Sequence, residues 1–173
     1  SSQWAAPYIK RELSEDETPT ERNYIWYFQV CVPSFDFRAF GQYKDATVLG
    51  ELMLGNPINN SKIPGFAVVL DKNGRLGLQE DVNSDDFMNK DPVYSQKPVI
   101  TADKWEDIYV RVYGSENKIM LFRGSENVLT HSWERATLPV REIWLGHVFL
   151  GGKGNYGVPI DGVYYGEVAL LPC

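Results

Sequence analysis

The chain has 173 residues, 43% of them hydrophobic and 13% aromatic, and its 17 Lys+Arg against 23 Asp+Glu give a formal net charge of −6. That length suits one soluble domain, residues 1–173, able to bury about 70% of the surface its unfolded form exposes without a metal or a lattice of disulfides. The acidic balance weighs against nucleic acid as a partner, no apolar run approaches the ~18 residues of a membrane helix, and residues 1–6 lack the basic-then-apolar layout of a signal peptide.

No stretch keeps apolar residues at helical spacing over three turns, whereas strand patterns recur about every ten residues, the rhythm of a sandwich or barrel. Residues 24–32, YIWYFQVCV, form the first predicted strand and stop at Pro33. One face carries Tyr24, Trp26, Phe28, Val30 and Val32; the other carries Ile25, Tyr27, Gln29 and Cys31. Next, residues 35–43 place three Phe and a Tyr in nine positions, a plug for the sandwich end or an exposed platform.

Strands are then expected at 47–54, 65–70 and 75–79, the last two joined as a hairpin by Asp71-Lys72-Asn73-Gly74, whose residues tolerate positive φ. Residues 80–97, rich in Asp and Pro, read as a long surface loop. Further strands follow at 107–113 and 118–122, paired through Gly114-Ser115-Glu116-Asn117, and at 142–150 and 162–171. Trp26, Phe28, Tyr109 or Val110, Phe122 and Trp144 are assigned mostly to the core, and Trp133, Tyr156 and Tyr164 to loops or strand ends.

From Lys104 onward the segments KWEDIYVRVYGSENKIMLFRGSENVLTHSW, LPVREIWLG and YGVPIDGVYYGEVALL resemble the concanavalin A-like jelly-roll superfamily, which includes laminin G domains, pentraxins and legume lectins. The resemblance implies an all-β, two-sheet antiparallel sandwich, a scaffold shared by lectins, carbohydrate-binding modules, glycosidases and lyases. A second likeness is to alginate-lyase-type enzymes, through KREL at 10–13, GELM at 50–53 and FLGGKGNYGV at 149–158. It lacks the His that such lyases use to move the proton, since His131 and His147 are the only histidines and neither follows Glu51.

Retaining glycosidases of the superfamily carry two carboxylates on one strand, and no such strand is present. Glu12, Glu51, Glu142 and Glu167 stand singly in strands, each a candidate functional acid or an ordinary surface partner. No nucleophile elbow or phosphate loop is found, so no catalytic residue is assigned. The ligand-binding candidates are Arg38, Gln42 and Tyr43 in the aromatic loop and Lys153, Asn155 and Tyr156 in the glycine-rich loop, where a ring offers a stacking face and amides bind hydroxyls.

Asp81, Asp85 and Asp161 are candidate calcium ligands, because members of the superfamily hold calcium through loop carboxylates; the alternative is a solvated acidic loop. The resemblance also makes the first and last strands neighbours, which offers Cys31 and Cys173 as a disulfide, with two free thiols as the alternative. The expected function is a non-catalytic carbohydrate-binding module or lectin-like adhesion domain, extracellular or at a cell surface, with a glycan or polysaccharide as partner. A polysaccharide lyase and a laminin G-like protein-binding module are the alternatives.

Overall fold

A computed structural model describes residues 8–14, 16–18, 22–38, 45–55, 65–80, 91–146 and 156–172. Among them lie thirteen strands: β1 (Tyr8–Glu12), β2 (Asn23–Cys31), β3 (Phe37–Arg38), β4 (Ala46–Leu54), β5 (Gly65–Asp71), β6 (Leu76–Glu80), β7 (Val93–Tyr94), β8 (Trp105–Tyr113), β9 (Lys118–Arg123), β10 (Glu126–Ser132), β11 (Val140–Gly146), β12 (Val158–Pro159) and β13 (Tyr164–Pro172). No α-helix occurs among the described residues, and none there is long and apolar enough to cross a membrane.

The strands form a six-stranded sheet, β1-β11-β4-β5-β6-β7, facing a five-stranded sheet, β10-β9-β8-β2-β13, with β12-β3 as a small ribbon at one end. Every pairing is antiparallel. This is the two-sheet antiparallel sandwich that the resemblance implies, and one of the two architectures that the strand rhythm allows.

The core is built by period-2 alternation. On β2, Tyr24, Trp26, Phe28 and Val30 point inward, as do Ile108, Val110 and Val112 on β8, and they meet Leu49, Leu52, Leu54, Phe66, Val68 and Leu70 from the other sheet. Trp26 is the largest fully buried side chain, with its ring 4.9 Å from Phe28 and 6.2 Å, nearly edge-on, from Phe66. Phe66 in turn meets Trp133 edge-on at 5.8 Å, so Trp133, expected in a loop, belongs to the core. A Cβ on Gly50 would lie 2.9 Å from the Trp26 ring, so the indole occupies space that only glycine leaves.

The sequence reading is corrected in several places. β10 was not foreseen and β1 was anticipated only through Glu12, because each is an edge strand with polar residues on both faces. The 80–97 loop contains β7, laid against β6. Of Tyr109 and Val110 it is Val110 that enters the core, while Phe122 and Trp144, expected there too, stand half-buried on the outer faces.

Of the two cysteines offered as a disulfide or as free thiols, only Cys31 is described. β2 and β13 are indeed neighbours, but Cys31 lies opposite Tyr164, whereas Pro172 lies opposite Tyr24, seven residues away. At about 3.3 Å per residue, Pro172 stands roughly 23 Å along the sheet from the level of Cys31. Cys31 is a free, buried thiol, and burial followed by the charge of Asp103 raises its pKa. Cys173 lies outside the described residues.

Two outcomes are expected. Gly50→Ala should lower unfolding stability by about 1–3 kcal/mol through overpacking against Trp26, measured by denaturant melts; an unchanged midpoint would mean the sheets part freely there. Peptide mapping of unreduced protein should find Cys31 alkylated only after denaturation, and a 31–173 cross-linked peptide would contradict the register.

Candidate functional site

Of the sequence-predicted residues, Arg38, Tyr156 and Asp161 are described, while Gln42, Tyr43, Lys153, Asn155, Asp81 and Asp85 lie outside the described residues. The three described ones gather near the β3-β12 ribbon, where Arg38 lies opposite Val158. Arg38 is exposed. The Ser34 hydroxyl donates to Asp161 Oδ2 at 2.6 Å, and the Ile160 N–H donates to the Asp36 carbonyl at 2.9 Å, two ties between the chain before β3 and the turn after β12. Among the described residues no three His, Cys, Asp or Glu side chains gather as metal ligands.

Tyr156 departs from the open stacking platform that the sequence suggests. The Gly157 N–H donates to the Ala46 carbonyl at 2.6 Å and docks this segment on β4. The Tyr156 ring packs with Ala46, Val48, Met53, Ala67 and Val69 on the outer face of the six-stranded sheet. It is 3% exposed, and its hydroxyl donates to Gln79 Oε1 at 3.1 Å.

That outer face is the candidate site. Register sets Lys10, Trp144, Glu51, Ala67 and Gln79 in one row across β1, β11, β4, β5 and β6, with Glu142 one step along β11. Tyr94 lies over Gly77, where a Cβ would come within 2.7 Å of the ring, and the Arg75 guanidinium sits 5.0 Å from its centroid. The Trp144 indole N–H donates to Glu142 Oε2 at 2.8 Å, and Lys10 Nζ lies 5.1 Å from the Trp144 ring centroid, 2.9 Å from Glu12 and 3.9 Å from Glu142.

Glu51 is the unusual member of the row. It is 2% exposed, its Oε2 has no hydrogen-bond partner, and burial pushes its carboxyl well above the ordinary carboxylate range. The neutral acid is the form such a site holds, because an isolated buried carboxylate costs far more than a protonated one. Even neutral, an unmade hydrogen bond costs about 1–3 kcal/mol, so the fold carries a penalty there. The protonated group offers one donor and one acceptor; the buried Gln79 amide, across Ala67 in the same row, is engaged by the Tyr156 hydroxyl and the Glu80 carbonyl.

Sequence reasoning named Glu51 as one of four lone carboxylates, but nothing local singles it out. Its distinguishing neighbours, Gln79 and Trp144, are 28 and 93 positions away. At one end of the face, Asp45, Asp71, Lys72, Arg75 and Tyr94 line a cavity of about 280 Å³.

No protein-family model and no curated protein sequence matches the chain. Solved structures of similar fold include the sialidase of Trypanosoma rangeli, at 13% identity and a TM-score of 0.55, covering 86% of this chain. This chain spans only 20% of that sialidase's length. The CBM40 module of the Ruminococcus gnavus IT-sialidase, bound to α2,3 sialyllactose, matches at 13% identity and a TM-score of 0.53, covering 86% of this chain and 74% of that one. A tetrameric galectin from the ball sponge Cinachyrella sp. matches at 10% identity and a TM-score of 0.56, covering 95% of this chain and 99% of that one. At such low identities the likeness speaks for architecture: the chain is a two-sheet antiparallel jelly roll, consistent with the concanavalin A-like fold.

Proposed function

We propose that the domain is a non-catalytic, lectin-like carbohydrate-binding module, extracellular or displayed at a cell surface, that recognises a glycan on the outer face of its six-stranded sheet. The observation that carries this reading is the row Lys10–Trp144–Glu51–Ala67–Gln79, in which a buried carboxyl with a free oxygen stands between an indole and an amide. Sugar recognition needs an apolar ring face together with fixed donors and acceptors, and this row holds both. Similarity to a sialyllactose-bound module and a galectin supports the same class of ligand. Calcium held by Asp81, Asp85 or Asp161 would be an accessory to that binding, read as calcium-dependent melting.

A second reading has its own observation. Glu51 lies opposite Trp144 and Glu142 opposite Met53, so the two carboxyls are diagonal neighbours on one face. The backbones of such neighbours sit about 7–8 Å apart, from which side chains on one face can reach the ~6.5–9.5 Å carboxyl separation that hydrolysis of a glycosidic bond with inversion needs. Release of reducing ends from a polysaccharide panel, abolished in Glu142→Gln, would move the domain from binder to enzyme.

A glycan array that includes α2,3 sialyllactose should show saturable binding, weakened roughly tenfold in Trp144→Ala, the size expected for loss of a stacking ring. No binding across the array, or an affinity indifferent to Trp144, would remove the reading. Glu51→Gln should raise the melting temperature at pH 7. The sign follows from linkage: the folded state holds the Glu51 proton more tightly than the unfolded chain, so wild-type stability falls as pH rises above the unfolded carboxyl range. The gap between variant and wild type should therefore shrink toward pH 4; a gap that widens there would mean that Glu51 is stabilised as the anion.

A further inference from the structure

A cavity of about 190 Å³ lies between β1, the edge of the six-stranded sheet, and β13, the edge of the five-stranded one. Ile9 and Leu145 wall it from the first sheet, Val163 and Tyr165 from the start of β13, and Val158 and Pro159 from β12. None of the described residues that line it is charged.

The cavity is open to solvent. Ile9 lies opposite Leu145, a core residue, so its side chain turns toward the space between the sheets, yet it is 64% exposed. Gly162, which also lines the cavity, is exposed, and a Cβ built there would meet nothing within 4 Å. A molecule can enter past these two residues.

Thr47 forms the inner wall. It lies opposite Leu70, another core residue, so its side chain points between the sheets. It is wholly buried, and its Oγ1 has no hydrogen-bond partner. The other side-chain hydroxyl of the lining is engaged, since Tyr165 donates to the Leu49 carbonyl at 2.5 Å. A buried water is held by about two to four polar partners, and a largely apolar lining offers it few. An unmade hydrogen bond at a buried hydroxyl is a cost that a bound organic molecule with its own hydroxyl removes.

We propose that this cavity is a binding site, separate from the glycan face, for a compact uncharged ring that carries one hydroxyl group, with phenol as the simplest case. The ring packs on Ile9, Leu145, Val158 and Val163, and its hydroxyl hydrogen-bonds Thr47 Oγ1. Size fits this class: an apolar cavity of about 150 Å³ admits benzene, so one of about 190 Å³ has room for a ring with one small substituent. Chemistry narrows it further. A pyranose would bring several hydroxyls against a lining with one free side-chain partner, and a carboxylate or ammonium would find no counter-charge.

The test uses the whole chain, with phenol, toluene and octanoate as probes, read by methyl carbon-13 NMR and calorimetric titration. Phenol should shift the methyl resonances of Ile9, Leu145, Val158 and Val163 and leave those of Ala67 and Val69, on the outer face of the six-stranded sheet, unmoved. Thr47→Val puts a methyl group in place of the unpaired hydroxyl, so the fold should hold. Phenol affinity should then fall about fivefold, the size of one hydrogen bond, while toluene binds as before. Ile9→Trp, at an exposed edge position, should close the entrance and weaken phenol and toluene alike, whereas Trp144→Ala should bind phenol as the wild type does. No binding of phenol, equal phenol affinity in Thr47→Val, loss of phenol in Trp144→Ala, shifts at Ala67 and Val69, or octanoate binding more tightly than phenol would each overturn the proposal.

Discussion

The contact between Trp26 and Gly50 sets the geometry on which both faces of the sandwich depend. The indole of β2 lies where a side chain on β4 would stand, so the two sheets close around it. β4 meets the demand with a register shift between Val48 and Gly50. Regular alternation from Leu49 would send Leu52 outward and Glu51 into the core. With the extra residue, Leu49, Leu52 and Leu54 all enter the core, and Glu51 emerges beside Ala67 on the outside. The same local irregularity that seats the largest core side chain also places the unpartnered acid.

The outer face of the six-stranded sheet carries a cost to stability at Glu51. A buried carboxyl without a partner is a standing cost, and an apolar side chain between Ala67 and Trp144 would remove it. Gln79 and Tyr156 satisfy each other, and Trp144 and Glu142 satisfy each other, which holds the surroundings of Glu51 in place. Fixed donors and acceptors around one free group are what recognition of a hydroxyl-rich ligand requires, because little conformational entropy remains to be lost on binding.

Much of this architecture was legible in the sequence wherever a strand buries one face. YIWYFQVCV in β2 and the Asp71–Gly74 hairpin carried clear signals, because alternation and turn chemistry are local. β10 gave none and β1 little beyond Glu12, since an edge strand needs no apolar face and both are largely polar. Trp144 and Phe122 were misassigned for a related reason: an aromatic residue in a strand does not reveal which face it occupies until the register is known. Register matters for Cys31 too: β2 and β13 are neighbours as inferred, and Cys31 lies opposite Tyr164 at the start of β13. Glu51 was visible only as a lone acid, and its chemistry comes from partners on other strands.

The account is tested most directly by carbon-13 NMR of the Glu51 carboxyl at pH 7, recorded with and without a glycan that the domain binds. It predicts a protonated carboxyl in the free protein and a shift of that resonance on addition of the sugar. An ionised Glu51 with an ordinary titration, unmoved by a bound glycan, would contradict it.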